Sequence, residues 1–431
     1  MFFPRVSLPA GALALALAAA LPAAAQTTDA MTGDWGGTRT ALEDDGIKLG
    51  FGYTSEDAYN TSGGDRSDFA HSGQLTLDST FDLGKLWGWD GTQFRFTLTH
   101  RDGDNLNDKV GLNELLQSQE VFGRGRIWRI SNLWLSHDFA DGRVQVKAGR
   151  LAVGDDFDNL NCEFMSLTFC GSQTAMIVGD YWYNGPISQW GALVNAWLTP
   201  QIYLRAGAYQ VNPTYARESH GLALNPSGTI GTLTPVELGW NPQLGDKLDG
   251  HYALGGWYSS APREDVYRDI NNDPAGLTGL DLAMRTGAYG GYFVGAQQFT
   301  HGNGGSDKAG LRGFFNVVQT DRRTGSIDRT ANLGVTYTGI GQARAQDQIG
   351  LALGATHVNG RLGDYQRQVN TLGGVPVTVQ GGSEYSAELY YAFAATGWLI
   401  LRPDLQYVVH PGGSSDNPDV MVVGVKTSIA F

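Results

Sequence analysis

Beyond its first two dozen residues the sequence has no apolar run long enough to cross a bilayer as a helix, which takes about 18 to 20 such residues. The longest candidate, YYAFAATGWLIL, is broken by Thr396 and Gly397. Charged side chains are scarce at 17%, against roughly 25% in ordinary soluble domains. A basic excess is missing too: the net charge is −13, which excludes the electrostatic footprint of a nucleic-acid binder. Only two cysteines occur, Cys162 and Cys170 in NCEFMSLTFCG. At that spacing in an exported chain they read as a disulfide closing a small loop, and no histidine lies nearby to complete a zinc site. The eight histidines are scattered, and neither G-x-S-x-G nor H-E-x-x-H occurs, so nothing points to an enzyme. DINNDPAG, from Asp269, spaces oxygens like a calcium loop but has Pro274 where such a loop needs glycine, and reads as a solvated turn.

What the chain does have is glycine, 60 residues, and aromatics at 11%. It opens with MFFPRVSLPAGALALALAAALPAAAQ: one basic residue, a short apolar run and a small-residue site. This reads as a secretory signal peptide over 1–25, cleaved between Ala25 and Gln26. The segment 26–47 then forms an N-terminal periplasmic stretch, in which GTRTALEDDG from Gly37 predicts a short helix.

From residue 48 onward the recurring signal is alternation. Leu75, Leu77 and Phe81 oppose Thr76, Asp78 and Thr80; Phe94, Phe96 and Leu98 oppose Gln93, Arg95 and Thr97; Ile202 and Leu204 oppose Tyr203 and Arg205. A period of two is that of a strand with one oily face. Strands are predicted at 48–59, 73–83, 92–101, 127–139, 143–152, 189–199, 201–211, 235–240, 250–259, 286–299, 309–320, 330–339, 348–358, 384–401, 404–410 and 419–431. These make about sixteen, an even number as outer-membrane barrels require.

Short links such as Ala140-Asp141-Gly142, Thr199-Pro200-Gln201 and Arg402-Pro403-Asp404 alternate with long ones at 102–126, 152–188, 212–234, 260–285 and 359–383. Short turns on one rim and long loops on the other predict an all-β fold, a transmembrane antiparallel β-barrel over 48–431 in a Gram-negative outer membrane. The last strand then pairs with the first, and Phe431 sits in the periplasmic aromatic girdle, where it would be read by the outer-membrane assembly machinery. Lipid and that machinery are the expected partners, and a homotrimer is left open.

Two blocks carry a family resemblance. TGDWGGTRTALEDDGIKLGFGY from Thr32, with Trp35, Arg39 and Leu42, resembles the N-terminal block of the OprB-type carbohydrate-selective porins. AELYYAFAATGWLILRPDLQYVVHPGG is similar to that family's penultimate hairpin, and VKAGR and the closing Phe agree with it. The resemblance implies a sixteen-stranded channel through which glucose-like monosaccharides diffuse passively into the periplasm, with no cofactor. A general cation-preferring pore, favoured by the acidic balance, and an adhesin-like barrel are the alternatives.

If the oily parity faces lipid, the other parity lines the lumen. That places Asp78, Arg95, Lys147, Tyr203, Arg205, Arg312, Glu388 and Lys426 inward. Mixed charges and an aromatic ring suit neutral polyhydroxy solutes, since carboxylates accept and guanidinium groups donate hydrogen bonds to hydroxyls. The aromatic-rich loop 152–188 is the expected constriction, folded into the pore or packed at a trimer contact.

Overall fold

The computed structural model describes residues 29–159, 162–172, 174–178, 182–245, 247–302, 309–372 and 376–431. The expected leader and its cleavage site at Ala25 and Gln26 lie outside them. Among the described residues sixteen antiparallel strands close on themselves. They are β1 Ile47–Ser62, β2 Phe69–Asp82, β3 Thr92–Gly103, β4 Trp128–Phe139, β5 Val144–Leu151, β6 Gln189–Trp197, β7 Ile202–Val211 and β8 Gly231–Trp240. Next come β9 Leu248–Ser259, β10 Ala288–Gln298, β11 Gly310–Thr320, β12 Ile327–Thr338, β13 Gln348–Val358, β14 Ser383–Ala394, β15 Leu399–Val409 and β16 Val420–Ala430. Each strand pairs with its sequence neighbours, and β16 returns to β1 with Gly52 opposite Ala430 and Tyr59 opposite Val423. Closure leaves no unpaired sheet edge.

The alternation in sequence becomes two faces. Along β8, Leu233, Pro235 and Glu237 point inward and are buried, while Val236 and Leu238 are exposed. Outward residues around the circuit include Leu254, Phe293, Leu333, Leu351, Leu389 and Val423. So extensive an exposed apolar belt is intolerable in water and fits hydrocarbon. Exposed Trp87, Trp89, Phe139, Trp240 and Phe299 edge the short-turn rim; Tyr59, Phe69, Trp128, Tyr258, Tyr289 and Tyr385 edge the other. These are the two aromatic girdles of a bilayer-spanning barrel.

The turn expected at Arg402-Pro403-Asp404 is in fact strand. Pro403 pairs with Val425 on β16, while the ladder toward β14 skips positions 402 and 403, which is where the missing proline N–H falls. The real turn is 395–398, closed by Ala395 N–H on Leu399 O at 3.0 Å and by Thr396 Oγ1, which accepts from Leu399 N–H. The predicted strand 384–401 therefore divides. Two loop elements had no periodic signal: a ribbon of Arg263–Asp269 with Leu282–Arg285 and the helix Gly360–Thr371. The ribbon ends at Asp269, whose carboxylate accepts from Asn271 N–H, Asp273 N–H and the Thr278 hydroxyl, the chemistry of a turn.

Helix α1, Thr38–Asp44, stands where GTRTALEDDG predicts it. Asp34 accepts from Thr40 N–H at 2.9 Å at its start, Arg39 lies 4.4 Å over the Trp35 ring and donates to Phe431 O at 2.6 Å, and Trp35 rests against Phe51. The N-terminal block thus braces the seam between the first and last strands.

Glycine has a structural job on the inner wall. Gly239 and Gly350 lie directly across the ladder from Tyr203 and Tyr390, and a Cβ on either would fall 2.0 and 2.4 Å from the ring. The rings therefore lie flat against the wall instead of standing across the lumen.

Candidate functional site: a constricted lumen

Sixteen strands enclose more space than side chains alone fill; here two loops enter it. Loop 152–188 lies against the far wall. Phe157 meets Tyr209 edge-on, Trp182 packs on Trp257 and Tyr292, and Phe164 sits among Phe169, Phe314 and Tyr390. All of these aromatics except Phe314 are buried, so the main apolar core is inside the barrel, between loop and wall.

Polar tethers fix the loop. Glu388, 1% exposed, accepts from the backbone N–H groups of Met165 and Ser166. Asn332 donates to Thr168 O at 3.1 Å, and Lys426 to Phe164 O at 2.9 Å. Cys162 and Cys170 are joined as a disulfide. Loop 104–127 is pinned likewise: Leu115 N–H donates to Glu384, Gln406 to Ser118 O, and Val121 N–H to Glu56. The two loops bond each other through Glu120 N–H on Met165 O at 2.9 Å and Leu167 N–H on Gln117 O at 3.0 Å. Within loop 104–127 a short helix spans Leu106–Val110.

Between these loops and the wall of β1 to β4, β15 and β16 remains a cavity of about 1050 Å3. Its wall carries Thr54, Gln74, Arg95, Arg101, Asn132, Arg402, Lys426 and Ser428; its loop side carries Glu120, Asp155 and Asn184. The basic groups are largely neutralised in place. Arg95 Nε donates to Asp78 at 2.8 Å, Arg101 Nε to Gln74 at 2.7 Å, and Lys426 lies 3.1 Å from Glu56 and 2.9 Å from Glu120.

The residues read from the sequence thus fall into distinct places. Arg95 and Lys426 line the cavity, with Asp78 behind Arg95. Lys147 pairs with Asp156; Arg205 lies against Phe157 and Tyr203 and donates to Asp156 O; Tyr203 donates to Glu237 at 2.7 Å; Glu388 holds loop backbone. Lys147, Arg205 and Glu388 thus act between loop and wall, and Tyr203 within the wall. Arg312, on β11 opposite Thr336, stands apart from the cavity. Sequence reasoning missed Glu56 and Arg101, which parity could have supplied, and Glu120 and Arg402, which lay in segments read as loop or turn; Asp155 belongs to the loop read as the constriction.

Asp155 is a titrating group of this site. It opens onto cavity water, which screens it on one side, yet sits deep in the barrel. Burial, with Asp156 beside it, pushes its carboxyl up to about 6, against the pull of Lys147 and Arg95. It is therefore mostly ionised at pH 7.5 or so and mostly neutral near pH 5. Across about that interval, ion selectivity measured by reversal potential should shift toward anions as pH is lowered, and Asp155→Asn should flatten the dependence. A variant that keeps the full pH dependence would clear Asp155 of the role.

The match to known proteins agrees with this architecture. Residues 66–431 match the model for the carbohydrate-selective porin, OprB family. The chain belongs to that family. It is 40% identical to Porin B of Pseudomonas aeruginosa, over 98% of this chain and 96% of that one. It is 33% identical to the putative porin QuiX of Acinetobacter baylyi, over 93% of each. The high-pH structure of Pseudomonas putida OprB superposes with a TM-score of 0.91 at 37% identity, covering 94% of this chain and 99% of that one. As an OprB-family carbohydrate porin, the protein is a barrel of the Gram-negative outer membrane, with its short turns on the periplasmic side.

Proposed function

We propose that this porin admits monosaccharides of the glucose type by passive diffusion and holds back larger saccharides. The observation that carries this reading is the cavity, narrowed by two tethered loops and lined by hydroxyl, amide and paired ionic groups. Ionic pairs offer a donor and an acceptor side by side, which matches a sugar hydroxyl, itself both donor and acceptor. The charge on the cavity wall also speaks against a general cation-preferring pore: the acidic excess of the chain is not concentrated there, where Arg95, Arg101, Arg124, Arg402 and Lys426 stand against Asp108, Glu120 and Asp155. The concentration gradient drives the flux, so no cofactor is needed.

Liposomes carrying the purified protein should swell several times faster in glucose than in a disaccharide. Glucose should also reduce single-channel current saturably, and Arg95→Gln should weaken that block by about tenfold or more, the scale of a hydrogen bond to a charged group. Equal swelling in both sugars, with no block, would remove the selectivity from this reading.

A further inference from the structure

Among the described residues, one cation in the lumen makes neither an ion pair nor a hydrogen bond. Arg402 on β15 is 92% buried by its 8% exposure, yet it lines the cavity. Among the described residues no carboxylate or carbonyl accepts from its guanidinium, and its Nε is buried without a hydrogen-bond partner. Its guanidinium lies over the face of Tyr390, 5.0 Å from the ring centroid. The neighbours are committed elsewhere. Lys426, opposite it on β16, is satisfied by Glu56, Glu120 and Phe164 O. Asp404, two residues along the same strand, attracts Arg402 without pairing with it: it accepts from Gln406 and adjoins Glu388.

A buried guanidinium without an acceptor is costly, and a neutral sugar hydroxyl answers it only in part. A carboxylate answers it fully, because its two oxygens match two N–H groups of the planar fork. The surrounding wall supplies Thr54, Thr76, Ser428 and Asn132 for hydroxyl groups. Since Glu120 and Asp155 face the same space, a monoanion fits better than a dianion.

We propose that Arg402 forms an anion subsite in the pore, and that the porin also conducts carboxylated monosaccharides, aldonic or uronic acids. This rests on the sugar-pore reading for the hydroxyl contacts, but the charge recognition is separate from it.

The test uses the full-length porin in planar bilayers. Sodium gluconate should block potassium chloride current saturably, at a half-blocking concentration several-fold below that of glucose. Arg402→Gln should raise the gluconate value by about tenfold and bring the ratio of the two sugars near one, as expected for loss of a charge-assisted pair; Arg402→Lys should restore part of the preference. Glucose 6-phosphate, the dianionic arm, should block less well than gluconate. Equal block by gluconate and glucose in the wild type overturns the proposal, as does preferential block by the phosphate ester. If the variant does not assemble, the wild-type comparison still decides. Gluconate block without glucose block would sink the neutral-sugar reading and leave the anion subsite standing.

Discussion

Replacing Glu388 with alanine is expected to turn a quiet channel into a noisy one whose mean conductance is several-fold higher and through which disaccharides pass. The carboxylate holds two backbone N–H groups of loop 152–188 at a position shut off from water. Buried hydrogen bonds contribute about 0.5 to 1.5 kcal/mol each, so losing both weakens the loop's hold on the wall by roughly 2 kcal/mol, about thirtyfold in its bound population. Relief of crowding against Asp404 offsets part of this. The remaining tethers, Lys426 to Phe164 O and Asn332 to Thr168 O, keep the loop near the wall without fixing it. Glu388→Gln, which keeps one acceptor oxygen, should lie between the two. Single-channel recording reads both; an alanine variant with one steady wild-type level would show that the aromatic packing alone sets the loop.

Lys426→Met is expected to have the largest effect on stability. The ammonium lies between Glu56 and Glu120, with Lys426 and Glu56 almost wholly inaccessible. Removing it leaves Glu56 without its partner and Glu120 with Arg101 alone, 3.9 Å away, and breaking a buried pair in this way costs about 3 to 5 kcal/mol. The folded barrel in detergent should lose its compact electrophoretic mobility at a clearly lower temperature. Adding Glu56→Gln to the same chain should recover part of the loss, because it removes one of the stranded charges. An unchanged transition in the single variant would mean that water in the lumen solvates these carboxylates well enough to dispense with the lysine.

The wall of the barrel was legible because the bilayer imposes it. An inward charge is tolerated and an outward one is not, so parity alone sends Asp78, Arg95, Tyr203 and Lys426 to the lumen face. Strand ends were less legible where turn chemistry competes with pairing: Pro403 looks like a turn former and sits in a strand, at the one side of the ladder that does not need its N–H. Parity also cannot tell a residue that meets solute from one that meets a loop. Glu388 and Arg95 share the inward face, yet the first is sealed under Met165 and Ser166 while the second opens to the cavity. The difference is made by loop 152–188, whose path is set by contacts to β7, β9, β10, β12 and β14, far away in sequence. No local period encodes such contacts. The family resemblance supplied the solute class, and the side chains around it supply the reason.

The rings of Tyr203 and Tyr390 rest on Gly239 and Gly350 as on a recessed floor. A methyl group added to that floor would tilt the ring it supports and, with it, Glu237 or Phe164 beyond. The bore of such a channel can therefore be retuned from behind, by a single carbon on a residue no solute ever meets, while every group that greets the sugar stays the same.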